Sequence, residues 1–274
     1  MPDILEGYRK QKEYLICVDS DGCAKHITCF GPCLIPVWGL SQWEQKIRRR
    51  WDEINLYTMT RGINRFKGLA MILAEIDRTY KAVPDVDAFV RWTGEAPELS
   101  NQAVKAQWER TGKEIFRQAL EWSEEVNRKI GAMPEEAKCA FDGVREALKA
   151  AHETADVAVV SSANKKAVEE EWQRQGLMEY VDVVLSQDSG SKSACINALL
   201  KKGYCPDHVL MVGDAPGDCE AAADNGVYYY PILVKHEEMS WRRFPAEALK
   251  RLVMGEYGGA WQEQMVRTFR DNLS

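Results

Sequence analysis

Residues 19–22 read Asp-Ser-Asp-Gly and follow directly on an apolar run, YLICV, at 14–18. Two carboxylates at i and i+2 just past a strand reach one locus once the chain turns at Gly22, and strand ends are where open α/β sheets bind ligands. Such a pair can hold a hard cation through oxygen, serve as a nucleophile, or act as acid and base. Asp and Gly are also common turn residues, so a plain turn is the alternative. Three more groups stand behind apolar runs. Ser161 and Ser162 follow VAVV at 157–160. A hydroxyl and free backbone N–H groups at a helix start make a seat for phosphate oxygens. The same serines could instead cap the next helix, a role for which Asn164 is also placed. Lys192 lies beyond VDVVL at 181–185, in Asp-Ser-Gly-Ser-Lys-Ser. That segment lacks both the leading glycine and the glycine before the lysine of a Walker-type phosphate loop, which is therefore rejected. Asp214 and Asp218 follow VLMV at 209–212. Asp214 is placed to complete a cation site begun by Asp19, and Asp218 to cap a helix or orient the lysine.

Runs that are apolar throughout, rather than alternating, suit strands covered on both faces of a parallel sheet. Each of the last three is followed by helical patterning that closes on a glycine: 167–175 on Gly176, 193–202 on Gly203 and 218–225 on Gly226. Strand and helix in alternation predict an α/β fold, a Rossmann-like parallel sheet with helices on both faces. A further strand is expected at 227–234, then amphipathic helices around 246–254 and 261–272. The stretch from about residue 40 to 151 is different, because it reads as helix after helix. Trp43, Ile47, Trp51 and Ile54 share a stripe behind a capping Ser41; Ser100 caps a helix carrying Val104 and Trp108. Its many aromatic residues read as the core of a helical bundle rather than a ligand cage. The expected organisation is a catalytic core of residues 1–30 and 150–274, with an all-helical cap, 31–149, inserted after the first strand.

A formal net charge of −6 over 274 residues argues against a nucleic-acid-binding face. No apolar run approaches the ~20 residues that span a bilayer, and the polar start MPDILEGYRKQKEY does not read as a signal peptide. A cytoplasmic protein without membrane or nucleic-acid partners is expected. The eight cysteines lie within apolar segments or beside motifs, which fits reduced thiols. His26, Cys29 and Cys33 are close in sequence but include no CxxC pair, so a structural metal is not expected there. No feature of the sequence sets an oligomeric state.

Asp/Asp, Ser, Lys and Asp/Asp behind four strands, in that order, resemble the haloacid dehalogenase (HAD)-like hydrolase superfamily. Val18-Asp19-Ser20-Asp21-Gly22, Val160-Ser161-Ser162, Lys192, and Val212-Gly213-Asp214 through Asp218 look like its four motifs. The helical insert sits where its phosphatase branch carries a type-one cap. Cys23 departs from the threonine or valine usual there. The resemblance implies a magnesium-dependent phosphohydrolase acting on a small phosphorylated metabolite, a phosphate monoester, through an aspartyl-phosphate. It implies Asp19 as nucleophile and Asp21 as acid and base. Mg2+ would sit on Asp19, Asp214 and the backbone carbonyl of Asp21; Ser161, Ser162 and Lys192 would bind phosphate oxygens, and Asp218 would position Lys192. A phosphomutase of the same superfamily and a non-enzymatic phospho-ligand-binding protein are the alternatives. Within the insert, Arg61, Asn64 and Arg65 crowd around Gly62. Both arginines could grip a second anionic group of the substrate, with Lys25 and His26 joining them. The other reading is a solvated connector in which Gly62 and Asn64 act as cap residues.

Overall fold

Five strands, β1 (Tyr14–Val18), β2 (Ala155–Val160), β3 (Val183–Leu185), β4 (Val209–Gly213) and β5 (Tyr228–Pro231), pair in parallel in the order β3-β2-β1-β4-β5. The computed structural model describes residues 4–24, 31–134 and 139–274. The apolar runs are explained by what lies on either side of the sheet. Ile16, Val18, Val157, Val159, Leu210 and Val212 enter one core, and Leu15, Cys17, Ala158, Val160, Val209 and Met211 another. Successive strand residues point to opposite faces, so both faces demand apolar side chains. The chain builds outward from β1 to β2 and β3, then crosses to the other side for β4 and β5. Val18 is level with Val159 on one side and Val212 on the other, so three strand ends open at the same height. This switch point is where such sheets bind ligands.

Two strands are shorter than expected. The run at 181–185 contributes only Val183–Leu185, because the Asp182 carboxylate takes the Val157 N–H at 2.8 Å in place of a backbone carbonyl. The run at 227–234 is a strand only over Tyr228–Pro231, although the Ile232 N–H still donates to the Gly213 carbonyl at 2.8 Å; Pro231 sits on an edge strand, where its missing N–H is tolerated.

Thr28–Pro134 is one compact unit. It contains α1 (Leu34–Trp38), α2 (Glu44–Asp52) with a π turn at Glu53–Tyr57, α3 (Arg65–Thr79), α4 (Val86–Glu95), α5 (Asn101–Thr111) and α6 (Glu114–Gly131). Its aromatic residues are core, as expected. Trp51 meets Trp122 edge-on at 5.5 Å, and Phe116 meets Phe89 at 5.6 Å and Trp92 at 5.5 Å. Ser100 caps α5 by accepting the Ala103 N–H. Ser41 does not cap α2, which starts at Glu44 behind a 3-10 turn, Ser41–Trp43.

The other unit is Met1–Ile27 with Glu135–Ser274. Here α7 (Val144–Thr154), α8 (Lys165–Arg174), α11 (Glu237–Arg243) and α12 (Lys250–Val253) supply the core on one face of the sheet. α9 (Lys192–Leu200), α10 (Pro216–Asp224) and α13 (Ala260–Asn272) supply the other. The expected boundary at 149/150 falls inside α7, whose Val144, Ala147, Leu148 and Ala151 pack with the sheet; the units divide at 134/135 and at 27/28. The N-terminal segment is tied down by the buried Asp156 of β2. Its Oδ2 accepts the N–H of Gln11 at 2.9 Å and of Lys12 at 3.0 Å, and also the Tyr204 hydroxyl. The unit is a Rossmann-like α/β core.

Candidate active site

Asp19 follows the last residue of the central strand and continues its ladder, donating its N–H to the Val212 carbonyl at 3.0 Å. Only 5% of it is exposed. The chain then turns: Gly22 has φ 77°, which glycine adopts without strain, and the Ala24 N–H closes back on the Ser20 carbonyl at 3.0 Å. On β4, the strand beside β1, Asp214 stands directly past the last residue. Asp19, Asp214 and Asp218 are all buried and offer carboxylate oxygens within 4.8 Å of one another.

Lys192 enters from the opposite side. Ser191 caps α9 by accepting the Ala194 N–H at 3.2 Å, which sets Lys192 as its first residue. The ammonium lies 2.7 Å from Asp19 Oδ2 and 2.5 Å from Asp218 Oδ1. Asp218 performs both roles open to it in the sequence, since its Oδ2 also accepts the Ala215 N–H at 3.0 Å at the start of α10. Gly213 is required by that arrangement. A Cβ there would lie 2.4 Å from Asp218 Cβ and Cγ.

The charges do not balance. Three buried carboxylates face one ammonium, and burial pushes the Asp19 carboxyl from its ordinary 3.8 up to about 8. Lys192 pulls it down, but Asp218 and Asp214 add to the rise. Burial works against the charge on Lys192 as well, yet Asp19 and Asp218 outweigh it and hold the ammonium firmly protonated. An excess of buried carboxylate oxygen is the donor set that a hard divalent cation neutralises. Asp218 has one oxygen on Lys192 and the other on the Ala215 N–H at the start of α10, while Asp19 and Asp214 stand directly past two adjacent strand ends and are the carboxylates that would hold such an ion.

Ser161 follows the end of β2, next to β1. It is buried, donates its N–H to Leu185 at 2.9 Å, and accepts the Ala163 N–H on its hydroxyl at 3.2 Å. Ser162 is exposed. Asn164 is the residue that caps α8, through the Ala167 N–H at 3.3 Å, so neither serine has that task. Asp21 lies half-buried in the turn and outside the three-carboxylate cluster; it was expected as acid and base, and toward the metal only through its backbone carbonyl.

The other candidates lie in the helical unit. Asn64 caps α3 by accepting the Phe66 N–H at 2.9 Å, and donates to the Leu99 carbonyl. Arg61 is buried and donates to the Leu56 carbonyl at 2.8 Å; Arg65 donates to Ser123 Oγ at 3.1 Å and Asn127 Oδ1 at 2.7 Å. These bonds tie the 55–66 segment to its own unit, so neither arginine merely decorates a solvated turn. Lys25, His26 and Cys29 lie outside the described residues.

Two tryptophans that sequence reasoning passed over reach the loop after β1. Trp172 of α8 donates its indole N–H to Ser20 Oγ at 2.9 Å, and Trp241 of α11 donates to the Cys23 carbonyl at 2.8 Å. The sequence assigned neither a role, since no local pattern ties either one to the loop after β1.

Residues 86–231, just over half of the chain, match the family model described as haloacid dehalogenase-like hydrolase. That range holds Ser161, Lys192, Asp214 and Asp218 and begins after Asp19. Among solved structures, the chain is similar to a HAD-superfamily hydrolase of subfamily IA, variant 1, from Geobacter sulfurreducens, at 18% identity and TM-score 0.39, over 80% of this chain and 86% of that one. It is similar to a HAD-superfamily hydrolase from Ehrlichia chaffeensis at 16% identity and TM-score 0.41, over 88% and 100% of the two chains. A haloacid dehalogenase-like family hydrolase from Xanthomonas campestris is similar at 14% identity and TM-score 0.44, over 95% and 97%. No curated protein matches the chain.

Proposed function

The chain belongs to the haloacid dehalogenase-like hydrolases, and from that premise we propose that it hydrolyses a small phosphate monoester through an aspartyl-phosphate on Asp19. The observation that carries this reading is the Lys192 ammonium, held 2.7 Å from Asp19 Oδ2 and 2.5 Å from Asp218 at the switch point of the sheet. A buried carboxylate beside a fixed cation can meet a phosphoryl group whose equatorial oxygens need positive charge as the bond to the leaving group breaks.

In the first step Asp19 attacks phosphorus in line. The bond to the ester oxygen breaks, and Asp21 gives that oxygen its proton. In the second, Asp21 takes a proton from water, the water oxygen attacks phosphorus, and inorganic phosphate leaves with Asp19 restored. Lys192 and the Ser161 hydroxyl hold phosphate oxygens through both steps, and Asp218 keeps Lys192 aimed. Asp19 and Asp214, with the backbone carbonyl of Asp21, would hold Mg2+. When bound, that ion supplies charge neutralisation for the transferring group. Arg61 and Arg65 would select substrates that carry a second anionic group.

The test is a panel of phosphate monoesters assayed for released phosphate, with Asp19→Asn alongside the wild type. An amide cannot replace the nucleophile, so the variant should lose more than about a hundredfold in kcat, roughly 3 kcal/mol. Activity above that level would sink the covalent mechanism.

A further inference from the structure

Each of the two carboxylate oxygens of Asp19 has a fixed partner, and together the two partners set the rotation of the group. Oδ2 lies 2.7 Å from Lys192 Nζ. Oδ1 accepts the N–H of the next residue, Ser20, at 2.8 Å. The direction of that N–H depends on the Ser20 peptide plane, and a second bond fixes the same residue. The hydroxyl of Ser20, which is fully buried, accepts the indole N–H of Trp172, itself 1% exposed. A continuous chain of bonds therefore runs from α8 through Ser20 to the Asp19 carboxylate.

Burial alone does not force this bond. The indole N–H groups of Trp38, Trp51 and Trp122 are buried with no partner among the described residues. Trp172 instead spends its one donor on the residue between the two motif aspartates. From this geometry we infer that Trp172 is a positioning residue: acting through Ser20, it sets the rotation of the Asp19 carboxylate that keeps Oδ1 on the Ser20 N–H and Oδ2 on Lys192. A misaimed nucleophile loses rate in the chemical step more than in binding.

The role given to Trp172 rests on Asp19 being the nucleophile, so the experiment carries Asp19→Asn as an internal reference. Hydrolysis of para-nitrophenyl phosphate with Mg2+ is measured for Trp172→Phe, Ser20→Ala, the double variant and Asp19→Asn. Trp172→Phe keeps most of the aromatic body and removes the donor; Ser20→Ala removes the acceptor. Each should lower kcat about tenfold, or about 1.4 kcal/mol, with KM within about twofold of wild type. The double variant should be no slower than the slower single one, because both break the same bond. A purely packing role would lower the melting temperature and leave kcat in place. Wild-type kcat in Trp172→Phe beside an inactive Asp19→Asn overturns the inference and leaves the proposed function standing. Additive losses in the double variant also overturn it. An active Asp19→Asn overturns the nucleophile itself, and the role of Trp172 with it. If Trp172→Phe fails to fold, Ser20→Ala breaks the bond from its other end, and its kcat decides.

Discussion

Asp19 is a nucleophile candidate whose own surroundings oppose its ionisation. With three carboxylates buried around one ammonium, its carboxyl stands at about 8, against an ordinary 3.8. Stability from a carboxyl raised in the folded state is fully present below the ordinary value and is lost as pH climbs through the raised one. The metal-free protein should therefore lose stability from this group between about pH 4 and pH 8. A divalent cation on Asp19 and Asp214 requires the ionised form, so it competes with the proton and restores what ionisation removes. The gain in melting temperature given by Mg2+ over EDTA should then widen from about pH 6 to about pH 8 and level off above. Thermal melts across that range in both buffers check this. A gain that shrinks with rising pH would mean that Asp19 is not the titrating ligand.

At the scale of elements, each strand end acts as a mount, and the loop behind it aims the side chain. The same logic applies at the other end of β2, where the buried Asp156 anchors the N-terminal segment and not a substrate. Asp156→Ala would take the acceptor from the N–H groups of Gln11 and Lys12, which water can reach, and from the buried Tyr204 hydroxyl, at about 1–3 kcal/mol for the buried donor. Urea unfolding should show a loss of that order with phosphatase kcat unchanged; a drop in kcat at unchanged stability would move Asp156 into the catalytic machinery. This contrast explains what the sequence could and could not reveal. Asp19, Ser161, Lys192 and Asp214 were legible because each lies just behind an apolar run, and their order along the chain carried more information than any one of them. The helical insert was legible from its 3.6-residue stripes. The Trp172–Ser20 and Asp156–Lys12 bonds join residues 152 and 144 positions apart, and neither leaves a local pattern. The strand limit at Val183 was missed for a related reason, since a side-chain carboxylate from within an otherwise apolar run takes a ladder N–H.

At the scale of the whole molecule, the chain forms two compact units, Thr28–Pro134 and Met1–Ile27 with Glu135–Ser274, and each has a buried core of its own. The boundary expected from sequence cut through α7 because an amphipathic helix shows that it has a buried face without showing which core receives it. Two cores predict two cooperative transitions on heating. Mg2+ on Asp19 and Asp214 would add binding free energy only to the unit that contains them, so it should raise one transition and leave the other in place. The converse perturbation lies in the helical unit. Phe116 is fully buried between Phe89 and Trp92, and Phe116→Ala should cost about 3–5 kcal/mol there by opening a cavity. Scanning calorimetry of the wild type and this variant, each with Mg2+ and with EDTA, separates the two effects. The variant should lower the transition that Mg2+ does not move, and the Mg2+ response of the other should persist. A single transition shifted by both the substitution and the cation would mean that the units unfold as one, and that substitutions in the core of the helical unit would also change stability at Asp19 and Asp214.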